Sequence, residues 1–278
     1  MTTLAPMPAG PAAASAAALD AAIAESHEKN ADDIEVGEKS SQMGSESEDQ
    51  IRTVFTDPQN FNVKHPLYNN WTLWFDNPSA KGLSNGKGGG KDSWGEDLNK
   101  VVDFDSVEEF WGLYSNIIPP TALPAKANYY LFKEGIKPAW EDPANSDGGK
   151  WSIQLPRDKN RERIDQLWLF TMLSAIGETM ESGSTSAGAP ELITGVILSA
   201  RPHFYRIAIW TGQADDPVEE ADAGSIGSRL LEVGKHLKTS ILGLDLNQKI
   251  GTGGLTSEVE FQSHKESEKK KGRKFAVL

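Results

Sequence analysis

Apolar and polar positions alternate with period two in several short stretches of this chain and recur at helical spacing in three others. Apolar periodicity starts near Val54 and Phe55. Trp71-Thr72-Leu73-Trp74-Phe75 and residues 99–104 read as strands. A helix follows at once. Ser106 is placed as its N-cap and Glu109 as the third helical position, a capping box, with Val107, Phe110, Trp111 and Tyr114 at helical intervals. Residues 128–133 and 150–155 are strands separated by a loop at 134–149. The most regular helix spans 161–180, where Ile164, Leu167, Trp168, Phe170, Thr171, Leu173, Ala175 and Ile176 recur at helical intervals. Residues 192–199 and 205–210 are rich in β-branched residues and read as strands joined by a short connection holding His203 and Phe204. A third helix covers 224–240, and a last strand 258–262. The order β-β-α-β-β-α-β-β-α-β predicts an α+β fold, an antiparallel sheet with helices packed on one face.

The ends look different from this patterned middle. Residues 1–50 are rich in Ala, Ser and Glu and hold no aromatic residue. Such a segment buries too little apolar surface to offset its ordering entropy, so it reads as a disordered tail. Residues 265–278 read as a basic tail, leaving 51–264 as the domain. The formal charge of −12 follows the same division. Residues 1–50 carry −8 (ten acids, two bases) and residues 265–278 carry +4 (six bases, two acids). This balance excludes a protein that coats nucleic acid along its length, which needs a broad basic surface to displace counterions. It leaves room for a small basic patch.

Composition excludes several chemistries. The chain has no cysteine, so disulfides, thiolate zinc sites and a thiol nucleophile are out. Its five histidines are scattered without a metal-binding pair, and no metal is expected. No apolar run approaches the roughly 20 residues of a membrane span. The N-terminal stretch lacks the basic region of a targeting signal, which points to the cytoplasm, with the nucleus also open. The Gly-rich stretch before Lys91 lacks the spacing of a phosphate loop, and no nucleophile elbow or dinucleotide fingerprint occurs. The acid pairs Asp103/Asp105 and Glu108/Glu109 suit a solvated surface and a helix start. These readings describe a binding protein, with no enzymatic activity and no cofactor.

All eight tryptophans lie between Trp71 and Trp210. Trp71, Trp74, Trp151 and Trp168 fall in strand or helix patterns and read as core. Trp94 closes the polar loop that begins near Asn77, and Trp140 sits in the loop 135–143. Two readings are open for this pair: they cap the core, or they form the two faces of a slot for a flat ligand. Glu141 favours the slot. A carboxylate beside a stacking ring can accept two N–H donors from a guanine edge, each charge-assisted bond being worth about 1.5–3 kcal/mol. Stacking on Trp strengthens by about 0.5–2 kcal/mol when the ligand is a cation, and guanine methylated at N7 is a flat cation.

These residues sit in longer motifs. His65-Pro66-Leu67, Trp71–Phe75 (WTLWF), 104–114 (FDSVEEFWGLY), 131–142 (LFKEGIKPAWED), Gly148-Gly149-Lys150-Trp151, 167–178 (LWLFTMLSAIGE) and 207–211 (IAIWT) occur in order from about residue 55 to about residue 265. In them the chain resembles the eukaryotic translation initiation factor 4E family, the messenger RNA 5′ cap-binding proteins. The resemblance implies a curved antiparallel sheet with three helices on its convex face and a cap slot on the concave face. It implies that Trp94 and Trp140 sandwich 7-methylguanine. Glu141 would then take the N1 and N2 hydrogens, and the Trp140 backbone N–H would face O6. Trp210 would pack on the N7-methyl, and Arg201 and Arg206 would bind the phosphates with Lys150 nearby. His203 stands where the family often has Lys, and Lys150 where it often has Arg. Both departures weaken the phosphate contact or make it pH-dependent. Phe204 and Tyr205 make the adjoining connection more aromatic than usual, which suits contact with the first transcribed base. The stretches 82–90 and 182–189 look like loop insertions.

The resemblance implies a second surface as well. His65, Pro66, Val107, Trp111, Leu169 and Leu173 would receive the Tyr-x4-Leu-Φ helix (Φ apolar) of the initiation factor 4G scaffold or of inhibitory binding proteins. From its helical pattern alone, Trp111 reads as core. Phe170 stands where relatives often carry Glu, so a changed peptide contact is expected. Three functions follow: a cap-binding initiation factor, a cap-binding paralogue that represses translation without productive scaffold binding, and a general aromatic-groove RNA binder.

Overall fold

The computed structural model describes residues 52–53, 56–57, 60, 62–77, 98–181, 190–215, 222, 224–248, 258–267 and 276–278. The tail 1–50, the insertions 82–90 and 182–189, and Trp94 lie outside the described residues.

Among the described residues, eight antiparallel strands form one curved sheet in the order β2-β1-β3-β5-β6-β4-β7-β8. They are β1 (Pro66–Asp76), β2 (Asn99–Ser106), β3 (Asn128–Lys133), β4 (Gly149–Pro156), β5 (Ile193–Ala200), β6 (Phe204–Thr211), β7 (Glu260–Ser263) and β8 (Ala276–Val277). Three helices cover one face: α1 (Val107–Asn116), α2 (Ile164–Ile176) and α3 (Ile226–His236). The predicted α+β architecture is therefore the observed one.

Period-two alternation divides the sheet into two faces. Trp71 and Leu73 of β1, Tyr129 and Leu131 of β3, Trp151, Ile153 and Leu155 of β4, and Tyr205, Ile207 and Ile209 of β6 point toward the helices. There they meet Phe110 of α1, Leu167, Trp168 and Met172 of α2, and Leu230 and Val233 of α3. Burying a large apolar side chain of this kind contributes about 1.5–3 kcal/mol, so this layer holds the helices to the sheet. Trp151 has a polar anchor too, its indole N–H donating to the Leu230 carbonyl at 2.7 Å. A smaller cluster on the opposite face contains Tyr130, Phe132, Ile197, Ala208 and Trp210, with Trp74 packed against it. Trp74, read as core, therefore belongs to this second face and is half-buried.

Local details depart from the sequence reading. Ser106 precedes α1, but its side chain makes no capping bond. It ends β2, paired with Pro66, and its hydroxyl is buried. Glu109 instead accepts from the Asp105 backbone N–H at 3.1 Å. The second long helix is shorter than predicted. Residues Arg157–Asn160 form a separate turn, and α2 ends where Gly177 is followed by Glu178 at a positive φ of 52°. The last residues are more than a basic tail: Ala276 and Val277 pair with Phe261 and Glu260, placing the chain end at the sheet edge. Two residues are too few to leave a periodic signature.

Candidate functional site

The side chains facing away from the helices build a cleft. Lys150, Ser152 and Gln154 come from β4, Ile197 and Ser199 from β5, and Arg206, Ala208 and Trp210 from β6. Arg201 lies one residue beyond β5, and Glu260 and Gln262 come from β7. Together with Asn128 and Tyr130 they enclose about 380 Å³. Register explains the convergence: Trp210 lies opposite Lys150, and Arg206 opposite both Gln154 and Ser199.

Three cations share these walls: Lys150, Arg201 and Arg206. Burial lowers the pKa of the Lys150 ammonium, and Arg206 lowers it further. Burial likewise lowers that of Arg206, with Arg201 adding to the effect and Glu260 opposing it. Cations that destabilise one another's charge mark a place that an anion stabilises. The Arg206 guanidinium also lies 5.4 Å from the centre of the Phe204 ring.

Arg201 is fixed by a buried network that the sequence reading missed. Its Nη1 donates to Asn128 Oδ1 at 3.0 Å and to the Ala200 carbonyl at 2.9 Å. Asn128 donates in turn to the Asp76 carboxylate, and the Tyr130 hydroxyl donates to the same carboxylate at 3.0 Å. Burial and then Asp76 raise the Tyr130 pKa, so the phenol keeps its proton and remains a donor. A side chain held this way enters a binding event with little rotamer entropy left to lose.

Trp210 is 4% exposed. Its ring meets Phe132 edge-on at 5.5 Å and lies 4.2 Å from the His264 ring. Gly195 pairs with both Phe132 and Trp210. A Cβ at Gly195 would come within 2.4 Å of the Phe132 ring, so only glycine lets that ring lie across the strand. Burial, with Lys150 adding, pushes the His264 pKa down to about 4, which keeps the imidazole neutral behind Trp210.

Trp140 and Glu141 stand in the loop between β3 and β4, outside the cleft walls. Asp142 braces this loop by accepting from the Lys137 and Ala144 backbone N–H groups, each at 2.9 Å. Buried Asn145 donates to the Lys137 and Ala139 carbonyls, also at 2.9 Å. Trp140 is half-buried and Glu141 exposed, with the indole N–H donating to Glu141 Oε1 at 2.5 Å. Ile136, from the same loop, packs against the cluster that holds Trp210. Trp94, the other half of the expected slot, lies outside the described residues.

His203 sits on the β5–β6 turn with its side chain exposed, and does not line the cleft. Tyr205 is wholly buried on the helix side, so it is unavailable to an RNA base. Phe204 is half-buried beside Arg206. Among the described residues, no group of three or more His, Asp or Glu side chains could hold a metal ion.

The other face of the molecule carries the second set of residues. The His65 carbonyl accepts from the Val107 N–H at 2.9 Å, and its imidazole Nδ1 meets Glu108 Oε1 at 2.6 Å. Pro66 opens β1 opposite Ser106. Val107 and Trp111, one turn apart on α1, are both exposed, Trp111 by 42%. The core reading of Trp111 is therefore corrected: Phe110 is the buried residue, and the Trp111 ring packs edge-on against it and Tyr114. Leu169 and Leu173, one turn apart on α2, are half-buried against the core, and Phe170 between them is 38% exposed.

Comparison with known proteins places this architecture. The family model described as eukaryotic initiation factor 4E matches residues 66–277. Eukaryotic translation initiation factor 4E-1 of Schizosaccharomyces pombe is 37% identical over 219 residues, covering 79% of this chain and 84% of that protein. Eukaryotic translation initiation factor 4E of Saccharomyces cerevisiae is 42% identical over 164 residues, covering 59% of this chain and 70% of that protein. Among solved structures, Ascaris suum eIF4E-3 with m2,2,7G cap superposes with a TM-score of 0.59 at 28% identity, over 78% of this chain and 99% of that one. Caenorhabditis elegans eIF4E-3, with the 4E-binding protein Mextli and cap analog, gives a TM-score of 0.58 at 27% identity, over 78% of this chain and all of that one. With the family model matching about three-quarters of its length and relatives above 30% identity covering more than two thirds of both chains, the chain belongs to the eukaryotic initiation factor 4E family.

Proposed function

We propose that this protein binds the 7-methylguanosine 5′ cap of messenger RNA and recruits the initiation factor 4G scaffold for cap-dependent translation initiation. The observation that carries the reading is the cleft on the sheet face opposite α1, α2 and α3, where three cations converge beside buried Trp210. The solved relatives bound to m7G and m2,2,7G caps support it.

In this reading Trp140 and Trp94 stack on the two faces of the methylated base. Glu141 accepts its N1 and N2 hydrogens, and the Trp140 backbone N–H meets O6. The positive charge on N7-methylguanine strengthens both the stacking and the carboxylate bonds. Trp210 packs on the N7-methyl. Arg201 and Arg206 take the phosphates, and Lys150 adds charge from the cleft floor. His203, exposed on its turn, reaches only the outer part of the phosphate chain. Contacts to one base and a few phosphates give a shallow salt dependence, with a log–log slope on the order of −2. The protein is expected to be retained on resin bearing 7-methyl-GTP and released by free 7-methyl-GTP but not by GTP. Passage through the resin, or release by GTP, would overturn the reading.

The scaffold or an inhibitory binding protein docks on the opposite side, over His65, Pro66, Val107, Trp111, Leu169 and Leu173. The relative solved with Mextli supports a partner surface in this fold. Exposed Trp111 and Phe170 supply the apolar contact that a docking helix needs.

A further inference from the structure

Among the described residues, Glu260 is the one acid lining the cleft that also holds Lys150, Arg201 and Arg206. Its position follows from the sheet. On β7 it pairs with Ser152 of β4, and Ser152 pairs with Ala208 of β6. All three residues line the cleft. Arg206 lies two residues from Ala208 on the same face, and Glu260 favours its charged form. A cleft whose cations suit a polyanion thus also has a half-buried carboxylate in its lining.

We propose that Glu260 is a specificity-determining residue that limits how much affinity the phosphates of the bound nucleotide supply. The proposal rests on the cap reading above. Each phosphate that enters the cleft is attracted by the three cations and repelled by Glu260. Before the ligand arrives, the carboxylate acts as the counter-charge for Arg206, and the phosphate chain must displace it from that role. Both effects grow with the negative charge of the phosphate chain and vanish for a ribonucleoside that has no phosphate. The methylated base, held by the aromatic residues and Glu141, lies outside this competition. The cleft therefore gains less from each added phosphate than its three cations alone would supply.

The test compares wild type with Glu260→Gln against 7-methyl-GTP, 7-methyl-GMP and 7-methylguanosine by calorimetry. Removing one charge several ångströms from the phosphates, partly screened by salt, is expected to tighten 7-methyl-GTP binding by about fivefold. The gain should fall below about twofold for the monophosphate and disappear for the nucleoside. Glu260→Ala should follow the same order. A uniform change across all three ligands, or unchanged 7-methyl-GTP binding, would overturn the proposal while leaving cap binding intact. Wild-type protein that ignores all three ligands would overturn the cap reading itself, and the role of Glu260 with it.

Discussion

Replacing Glu141 with alanine is expected to weaken 7-methyl-GTP binding by about 2 kcal/mol or more, a rise in Kd of roughly thirtyfold. The carboxylate is exposed and receives the Trp140 indole N–H at 2.5 Å, so it stands directly beside the ring assigned to stacking. When the base enters, its two N–H donors meet an ionised acceptor, and bonds to a charged group are about twice as strong as neutral ones. Removing the acceptor leaves those donors unpaired against an apolar wall, which is the costly half of the exchange. Because Glu141 is exposed, its loss should alter folding stability by only about 0.5 kcal/mol or less. Isothermal calorimetry with a thermal melt separates the two effects. An unchanged titration would remove Glu141 from the site.

Trp111→Ala is expected to abolish measurable binding of a Tyr-x4-Leu-Φ peptide while sparing the cap. Aromatic residues at the centre of an interface typically carry about 2 kcal/mol or more of its energy. Trp111 is large, 42% exposed, and braced from below by Phe110 and from the side by Tyr114. Phe110, only 1% exposed, keeps α1 on the sheet when the outer ring is cut away. The cleft residues lie on the opposite face, so the two activities should separate. Loss of both would show that Trp111 is structural. Wild-type protein that binds the cap but no such peptide would favour the repressor paralogue over the initiation factor.

Much of this molecule is legible in its sequence because its sheet alternates so regularly. Residues 150–155 and 205–210 have one side chain in two facing the helices, which period-two patterning alone reveals. The same patterning puts Lys150 on the other face of its strand, and Arg206 and Trp210 on the other face of theirs. What it cannot reveal is which distant strands meet. Arg201 is held by Asn128, 73 residues away, and Glu260 enters the cleft only because β7 pairs with β4. Helical spacing also left Trp111 and Phe110 equivalent, since adjacent positions near the edge of an apolar stripe differ only in rotation. The structure distinguishes them by exposure. Ser106 shows the limit of local motifs: a correctly spaced capping box was overridden when its first residue joined β2. The faces of the β3 strand held a usable signal. Asn128 and Tyr130 alternate with core residues and so were placed to meet the cleft.

Charge acquires a sharper meaning as well. The acidic excess opposes long tracking of a phosphate backbone, but it does not oppose a cleft whose walls gather Lys150, Arg201 and Arg206. In the proposed reading, an acidic protein with such a basic cleft discourages contact elsewhere along an RNA and concentrates recognition at its end.

The measurement that tests this account most directly is a paired titration with 7-methyl-GTP and GTP, followed by tryptophan fluorescence. Stacking of a cationic base between Trp140 and Trp94 predicts strong, saturable quenching by 7-methyl-GTP, and far weaker quenching by GTP at the same concentration. Equal responses to the two nucleotides would contradict recognition of the methylated base.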